Sequence, residues 1–295
     1  MRVALLGCGY VGLALGRRLR GDHEVVGVRR SAAGLTAVED AGLTPVEADL
    51  TDPAHLDALP DADAVVFAAS AGGRDVEAAR ETYVDGQRTV IDALGRRDSP
   101  PERYVYTSST GVYGDHGGDW VDEETPIEPV TPRQRVLAEA ETVALEATEA
   151  AGMSGTVARL AGLYGPDRYR LDRYLEGPVT EGVLNLCHRR DAAGALAHLL
   201  ESGRGRRGVV TVVDDEPVEK WTLADWLADA CGEPTPPKQT VAEALETGRY
   251  GEAAAERLRA TKRCSNDKLR SLGYEPAVPT FREGYRPAVA AYRNG

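Results

Sequence analysis

Four cysteines, two methionines, two phenylalanines and four lysines are few for a chain of 295 residues, and each scarcity excludes something. Cys8, Cys187, Cys231 and Cys264 are scattered without any C-x-x-C pairing, so neither a zinc site nor a disulfide framework is expected. They read as buried thiols, and no metal is expected. No apolar run approaches the length of a membrane-spanning helix, and the N-terminus opens directly into a strand-like segment with no signal peptide ahead of it. A cytoplasmic protein with no membrane partner is expected. Lysine is confined to Lys220, Lys238, Lys262 and Lys268, so arginine supplies nearly all of the 35 basic residues, and 47 acidic residues bring the net charge to -12. Such a balance fits a halophilic protein, kept soluble in high salt where repulsion between carboxylates is screened; a GC-rich genome would also exchange lysine for arginine. Either way no basic stripe is available to neutralise a phosphate backbone, and nucleic acid is not an expected partner.

What is present begins at once. Met1-Arg-Val-Ala-Leu-Leu-Gly7-Cys-Gly9-Tyr10-Val11-Gly12 is an apolar strand entering a G-x-G-x-x-G turn, with Leu13, Leu15 and Leu19 at helical spacing beyond it. In a dinucleotide-binding turn Gly7 permits the tight bend, Gly9 lets the backbone approach a pyrophosphate, Gly12 lets helix pack on strand, and the helix N-terminus faces the phosphates. A purely structural β-turn-α would use similar glycines, and the flanking strand and helix favour the binding reading. At the end of the second strand, Glu24 to Val28, an NAD site would carry an acidic residue for the ribose hydroxyls. This chain has Arg29-Arg30-Ser31 instead. Two guanidinium groups and a hydroxyl can hydrogen-bond a 2′-phosphate that a carboxylate would repel, so NADP is expected ahead of NAD. The plainer alternative makes both arginines ordinary surface residues.

Strand-like and helix-like segments alternate through the first two hundred residues, as a parallel sheet with crossover helices requires. Leu43–Ala48 reads as a third strand followed by Asp49-Leu50 and a helix from about Pro53. Ala64–Ser70 reads as a buried fourth strand ending in Ala68, Ala69 and Ser70. A helix is expected from about Arg74 to Leu94, a fifth strand at Arg103–Thr107, a long helix at Pro132–Ala151 and a sixth strand at Gly155–Leu160. Beyond Gly165 come a short strand at Val183–Cys187, a helix at Asp191–Leu200, a strand at Gly208–Val213 and a helix at Trp221–Cys231. Pro234-Thr-Pro-Pro237 reads as a linker, and helices are expected at Tyr250–Arg263 and Pro279–Tyr292. The expected architecture is an α/β, doubly wound parallel-sheet Rossmann fold. Residues 1-165 would form its dinucleotide-binding core, with strands returning near 183-213. Residues 166-182 and 214-295 would form a smaller, interleaved substrate lobe.

Several later segments carry a resemblance. Tyr106-Thr-Ser108-Ser109-Thr110-Gly111-Val-Tyr113-Gly114 and Arg159-Leu-Ala-Gly162-Leu-Tyr164-Gly165-Pro166, taken with the glycine turn, resemble the extended short-chain dehydrogenase/reductase family, its NAD-dependent epimerase/dehydratase group, over almost the whole chain. Asn185-Leu-Cys-His188 with Asp191, Val213-Asp-Asp-Glu-Pro217 and Ser265-Asn266-Asp-Lys268-Leu269 with Gly273-Tyr274 are similar to the later landmarks of an atypical, YeeZ-like branch. The resemblance implies a nicotinamide cofactor and a small-molecule, sugar-like substrate. Gly7, Gly9, Tyr10, Val11, Gly12, Arg29, Arg30, Ser31, Asp49, Leu50, Ala68, Ala69 and Ser70 are the candidate cofactor-binding residues. Helices near 82–94 and 133–151 occupy places that often pair in this family, so a homodimer is expected.

Two departures bear on chemistry. The first turn is G-x-G-x-x-G where the family usually has G-x-x-G-x-x-G. More importantly, aligning Arg135-Val-Leu-Ala-Glu139 with the family's Lys-x-x-Ala-Glu stretch puts Thr131 where a tyrosine acts as general acid/base and Arg135 where a lysine lowers its pKa. A threonine hydroxyl and a permanent guanidinium cannot shuttle a proton as a phenol does. Ser109 matches the residue that hydrogen-bonds the substrate oxygen, although a strand-end serine can equally satisfy backbone groups. Tyr113 is the nearest phenol, in a turn where the ring more often packs than reacts. His188 reads as structural or substrate-side. Thr110 and Gly111 stand where a dehydratase carries acidic residues, which disfavours dehydration. An NADP-dependent oxidoreductase or epimerase is therefore expected, with a non-catalytic NADP-binding sensor or interaction protein as the alternative. A 6-phosphogluconate-like dehydrogenase shares the opening turn but not the Ser-Ser-Thr-Gly-Val-Tyr-Gly segment.

Overall fold

Seven strands, all parallel, make the central sheet of the computed structural model, which describes residues 1–73 and 75–294. They are β1 (Arg2–Leu6), β2 (Glu24–Arg29), β3 (Thr44–Glu47), β4 (Ala64–Phe67), β5 (Arg103–Ser109), β6 (Ser154–Leu160) and β7 (Gly208–Val212). Their order is β7-β6-β5-β4-β1-β2-β3. The chain winds outward from β1 in one direction and from β4 in the other, so the order reverses between these neighbours and a crevice opens at their C-terminal ends. Val3 lies opposite Ala64 and Val25, and Leu6 opposite Phe67 and Val28.

Both faces of the sheet are covered, which is why its strands read as continuous apolar runs. Val3, Leu5, Val105, Ala158 and Val212 point to one face and pack with Leu15 and Leu19 of α1 (Tyr10–Leu19) and with Leu196 and Leu200 of the helix Arg189–Ser202. Ala4, Leu6, Val65, Phe67 and Tyr104 point to the other, against Ile91 and Leu94 of the helix Gln87–Gly95 and Val136 and Ala140 of the helix Pro132–Thr142. A third apolar cluster joins Tyr164, Tyr174, Leu186, Leu223, Leu227, Phe281 and Tyr285 beyond the sheet.

The structure redraws several expected boundaries. The segment after Pro53 is a 3-10 helix, Pro53–Ala58. Arg74 lies outside the described residues; helix runs from Val76 and passes through a π-helical turn, Glu81–Gly86, before Gln87–Gly95. The expected strand Val183–Cys187 is two, because Val183–Leu184 pairs antiparallel with Val218–Glu219 while Leu186–His188 pairs parallel with Gly162–Tyr164. Asn185 sits at the break, its side chain donating to Lys262 O and accepting from Cys264 N, so one amide replaces two ladder bonds. The expected helix to Arg263 is shorter, Glu252–Arg259, since Arg263–Cys264 pairs with Trp120–Val121. Pro234–Pro237 is no free linker: Val179 N donates to Pro237 O, and Lys238–Gln239 pairs with Val179–Thr180. All four cysteines are buried and free. Among the described residues no helix is long and apolar enough to cross a membrane, and no group of three or more His, Cys, Asp or Glu could hold a metal ion.

Candidate functional site

The glycine turn lies over the reversal between β1 and β4. Gly7 adopts φ +79, and a Cβ there would run into the backbone of Ala69 at the end of β4, so only glycine fits. At Gly9 the nearest atom to an added Cβ is Arg29 Nη1, 3.0 Å away, and little else is close. The turn thus leaves a shallow space bounded on one side by a guanidinium. Gly12 corrects an expectation: a Cβ there meets Cys8 Sγ at 3.4 Å, an ordinary contact, whereas at Gly16 it would collide with Leu43. Close helix-to-sheet packing is set at Gly16, one turn further on. The first-turn N–H groups of α1, from Tyr10, Val11 and Gly12, have no intrahelical acceptor and face this space.

Arg29 ends β2 and is half-buried. Its Nε would lie 2.5 Å from a Cβ at Gly34, so the guanidinium fits between Gly9 and the head of α2 (Ala32–Asp40) because both positions lack side chains. Ser31 caps α2, its Oγ accepting from Gly34 N at 3.3 Å. Arg30 is 70% exposed and stands 3.6 Å from Asp49 Oδ2. The N–H and hydroxyl of Thr51 bind Asp49 Oδ1 and, with Arg30 adding to them, hold this carboxyl below the usual aspartate range. Leu50 is buried, while Ala68 and Ala69 follow β4 beside Gly7, with exposed Ser70 next in the chain.

The four candidate catalytic residues are not gathered into one hydrogen-bonded set. Ser109, half-buried at the end of β5, accepts from Gly111 N at 3.1 Å and keeps its own proton to donate. Thr131 caps the helix Pro132–Thr142 in a capping box: its Oγ accepts from Gln134 N, and Gln134 Oε1 accepts from Thr131 N. Arg135 donates to Val130 O at 2.8 Å. Tyr113 is 1% exposed, its hydroxyl 3.1 Å from Thr211 Oγ1 and its ring 4.7 Å from the Arg159 guanidinium carbon. Burial pushes its phenol above the ordinary tyrosine value, further from acid chemistry near neutrality. His188 caps the helix Arg189–Ser202, Nδ1 accepting from Arg190 N, and burial lowers its pKa. The accepting Nδ1 leaves Nε2 as the protonated nitrogen.

Sequence reasoning missed the buried pair Arg159 and Glu141, the unpartnered Asp214, and the contacts of Tyr10 with Arg168 and Arg189. Arg159 alone left a visible signal, as one charge inside an otherwise apolar strand. Glu141 is indistinguishable in sequence from its acidic helix neighbours.

A parallel sheet whose order reverses beneath a glycine turn defines a Rossmann-type fold. Residues 3–214 match the model of the NAD dependent epimerase/dehydratase family, and the chain belongs to that family. It is 36% identical over 213 residues to Protein YeeZ of Escherichia coli K12, covering 69% of this chain and 74% of that protein. A functionally unknown conserved protein from Silicibacter pomeroyi superposes with a TM-score of 0.76 at 28% identity, over 98% of each chain. A human epimerase family protein with NADPH shares the fold at a TM-score of 0.75 and 19% identity, over 100% of each chain.

Proposed function

We propose that the chain is an NADP-dependent oxidoreductase or epimerase acting on a small, sugar-like carbonyl or hydroxyl substrate without the family's tyrosine and lysine pair. The observation that carries this reading is Arg29, seated between Gly9 and the Ser31-capped head of α2 with Arg30 beside it. That arrangement suits a 2′-phosphate on the adenosine ribose, and the space above Gly9 suits the pyrophosphate. When bound, the nicotinamide would give or take a hydride. Ser109 would donate its hydroxyl proton as a hydrogen bond to the substrate oxygen, because its bond with Gly111 N uses it as an acceptor. The transferred proton then comes from water or from a group outside Ser109, Thr131, Arg135 and Tyr113. Residues 166-182 and 214-295 would hold the substrate. A cavity of about 730 Å³ is lined by Gly117, Gly118, Glu181, Glu219 and Trp221, and none of Ser109, Tyr113, Thr131 or Arg135 lines it.

Titrating the protein in high-potassium buffer with NADPH, NADP, NADH and NAD, followed by nicotinamide or tryptophan fluorescence, tests the cofactor. NADPH is expected to bind at least tenfold more tightly than NADH, and Arg29→Ala with Arg30→Ala to erase the gap; equal affinities in the wild type would overturn the NADP assignment. The second reading, an NADP-binding sensor without turnover, is favoured by one observation: Thr131 and Arg135 both serve the head of their own helix. Thr131→Ala should cost about 1 kcal/mol through the lost cap. Any turnover found in a carbonyl-substrate screen should barely change in that variant, and its complete loss would assign Thr131 a chemical role after all.

A further inference from the structure

Tyr10 stands in the first turn of α1, and two arginines from distant parts of the chain converge on its ring. The guanidinium carbon of Arg189 lies 4.7 Å from the ring centroid and that of Arg168 5.4 Å. The tyrosine hydroxyl donates to Pro166 O at 3.1 Å, which ties the glycine turn to the segment bearing Arg168. Acidic compensation is slight: Asp167 Oδ2 stands 3.8 Å from Arg189 Nη1, is 89% exposed, and Arg168 has no ion pair within 4.0 Å among the described residues. Two like charges on one ring repel each other, and cation–π attraction returns only about 0.5–1 kcal/mol apiece at such half-exposed sites. A chain this acidic could have placed carboxylates there, yet the groups it brings to the turn are cations.

We propose that Arg168 and Arg189, held on the Tyr10 ring in the first turn of α1, form a clamp for the cofactor's diphosphate. This assignment rests on the reading of the chain as a nicotinamide dinucleotide binder and adds residues that the glycine motif does not contain. Tyr10 acts as a spacer: its ring orients both guanidinium groups, and its own N–H is among the free donors of the turn. The 2′-phosphate is then met by Arg29 and Arg30, and the diphosphate by Arg168 and Arg189.

Affinities of the full chain for NADPH and for adenosine 2′-monophosphate, which carries the 2′-phosphate but no diphosphate, separate the two sets. Arg189→Gln and Arg168→Gln should each weaken NADPH about tenfold while shifting adenosine 2′-monophosphate by less than twofold. The salt dependence of NADPH binding should become shallower in each variant. Tyr10→Phe keeps the ring and should retain most of the affinity, and thermal melts of every unliganded variant report folding. Undiminished NADPH binding by Arg189→Gln, or equal weakening of both probes, would overturn the clamp while leaving the dinucleotide reading intact. A wild-type chain that binds neither NADPH nor NADH would overturn both.

Discussion

Glu141→Ala should destabilise the protein by about 3–5 kcal/mol, the range for removing one partner of a buried ion pair. Glu141 and Arg159 have side chains only 5% exposed, and they meet between the helix Pro132–Thr142 and β6. Arg159 Nη2 donates to Glu141 Oε2 at 2.7 Å, its Nε lies within 3.2 Å of both carboxylate oxygens, and Ser108 donates to Oε1 at 2.6 Å. Arg159 Nη1 already lacks a hydrogen-bond partner among the described residues. Without the carboxylate, a guanidinium would remain in an apolar wall with the Tyr113 ring as its main neighbour. It cannot escape by losing its proton: burial pulls its pKa down, but the bonds to Glu141 raise it further, and even without them an arginine stays charged. A midpoint lower by roughly 10 °C in thermal unfolding is the expected readout for a chain of this size. Glu141→Leu combined with Arg159→Met should recover most of the loss, since an apolar pair of similar volume does not have to be stripped of water. A single-variant cost below about 1 kcal/mol would show that water reaches this pair.

Asp214→Asn is expected to stabilise the protein at pH 8 by about 2 kcal/mol, an ionised-carboxyl cost of several kcal/mol less about 1–3 for burying an unpaired amide. Asp214 follows β7, is 4% exposed, and anchors its backbone by donating from its N–H to Leu186 O. Neither carboxyl oxygen has a hydrogen-bond partner among the described residues. Burial pushes this carboxyl up to about 8; the Glu216 N–H pulls the other way without reaching hydrogen-bond geometry, and Asp215, Glu216 and Asp191 add to the rise. In the unfolded chain an aspartate releases its proton near pH 4. Between about pH 4 and pH 8 the folded chain therefore holds a proton that the unfolded chain has lost, and this group's contribution falls steadily as pH rises. Above pH 8 both states are ionised and the slope vanishes. Asp215, held low by Arg270 and Asn266, contributes with the opposite sign in the acid range, so wild type and variant must be compared directly. Denaturant midpoints at pH 5 and pH 8 decide the matter: the gap should widen in the variant's favour at pH 8. A pH-independent gap would mean that Asp214 ionises normally in the folded chain.

The Rossmann half was legible because burial on both faces makes its strands plain apolar runs, and because glycine at 7 answers a backbone need visible in one dimension. Arg29 stood out in sequence as a cation where an NAD site has an acid, but its seat between Gly9 and Gly34 is visible only in the fold. The two-residue strands were not, since nothing in Trp120-Val121 announces a partner at Arg263-Cys264; their pairing is decided by the fold around them. Gly12 and Gly16 show the same limit in miniature. Both are glycines on one helix, and only the position of Leu43 reveals which one the packing needs. Thr131 was read as a vacated catalytic place, and the structure gives it a helix-capping task that the Thr-Pro-Arg-Gln run already spelled out as a capping box. Asp214 carried no outward sign, because Val213-Asp-Asp-Glu holds three acids and only burial distinguishes them.

The short pairings beyond the sheet also govern the order in which the molecule can be assembled. Residues 179–180 wait for 238–239, 183–184 for 218–219, and 120–121 for 263–264. Each bridge closes a long loop for very few hydrogen bonds, which makes it slow to form and dependent on its neighbours. During synthesis the sheet through β6 can close while these segments still lack their partners. The glycine turn is then in place well before the outer bridges close, so a nascent chain carries its first strand-turn-helix unit folded while residues 120–121, 179–180 and 183–184 still stand unpaired.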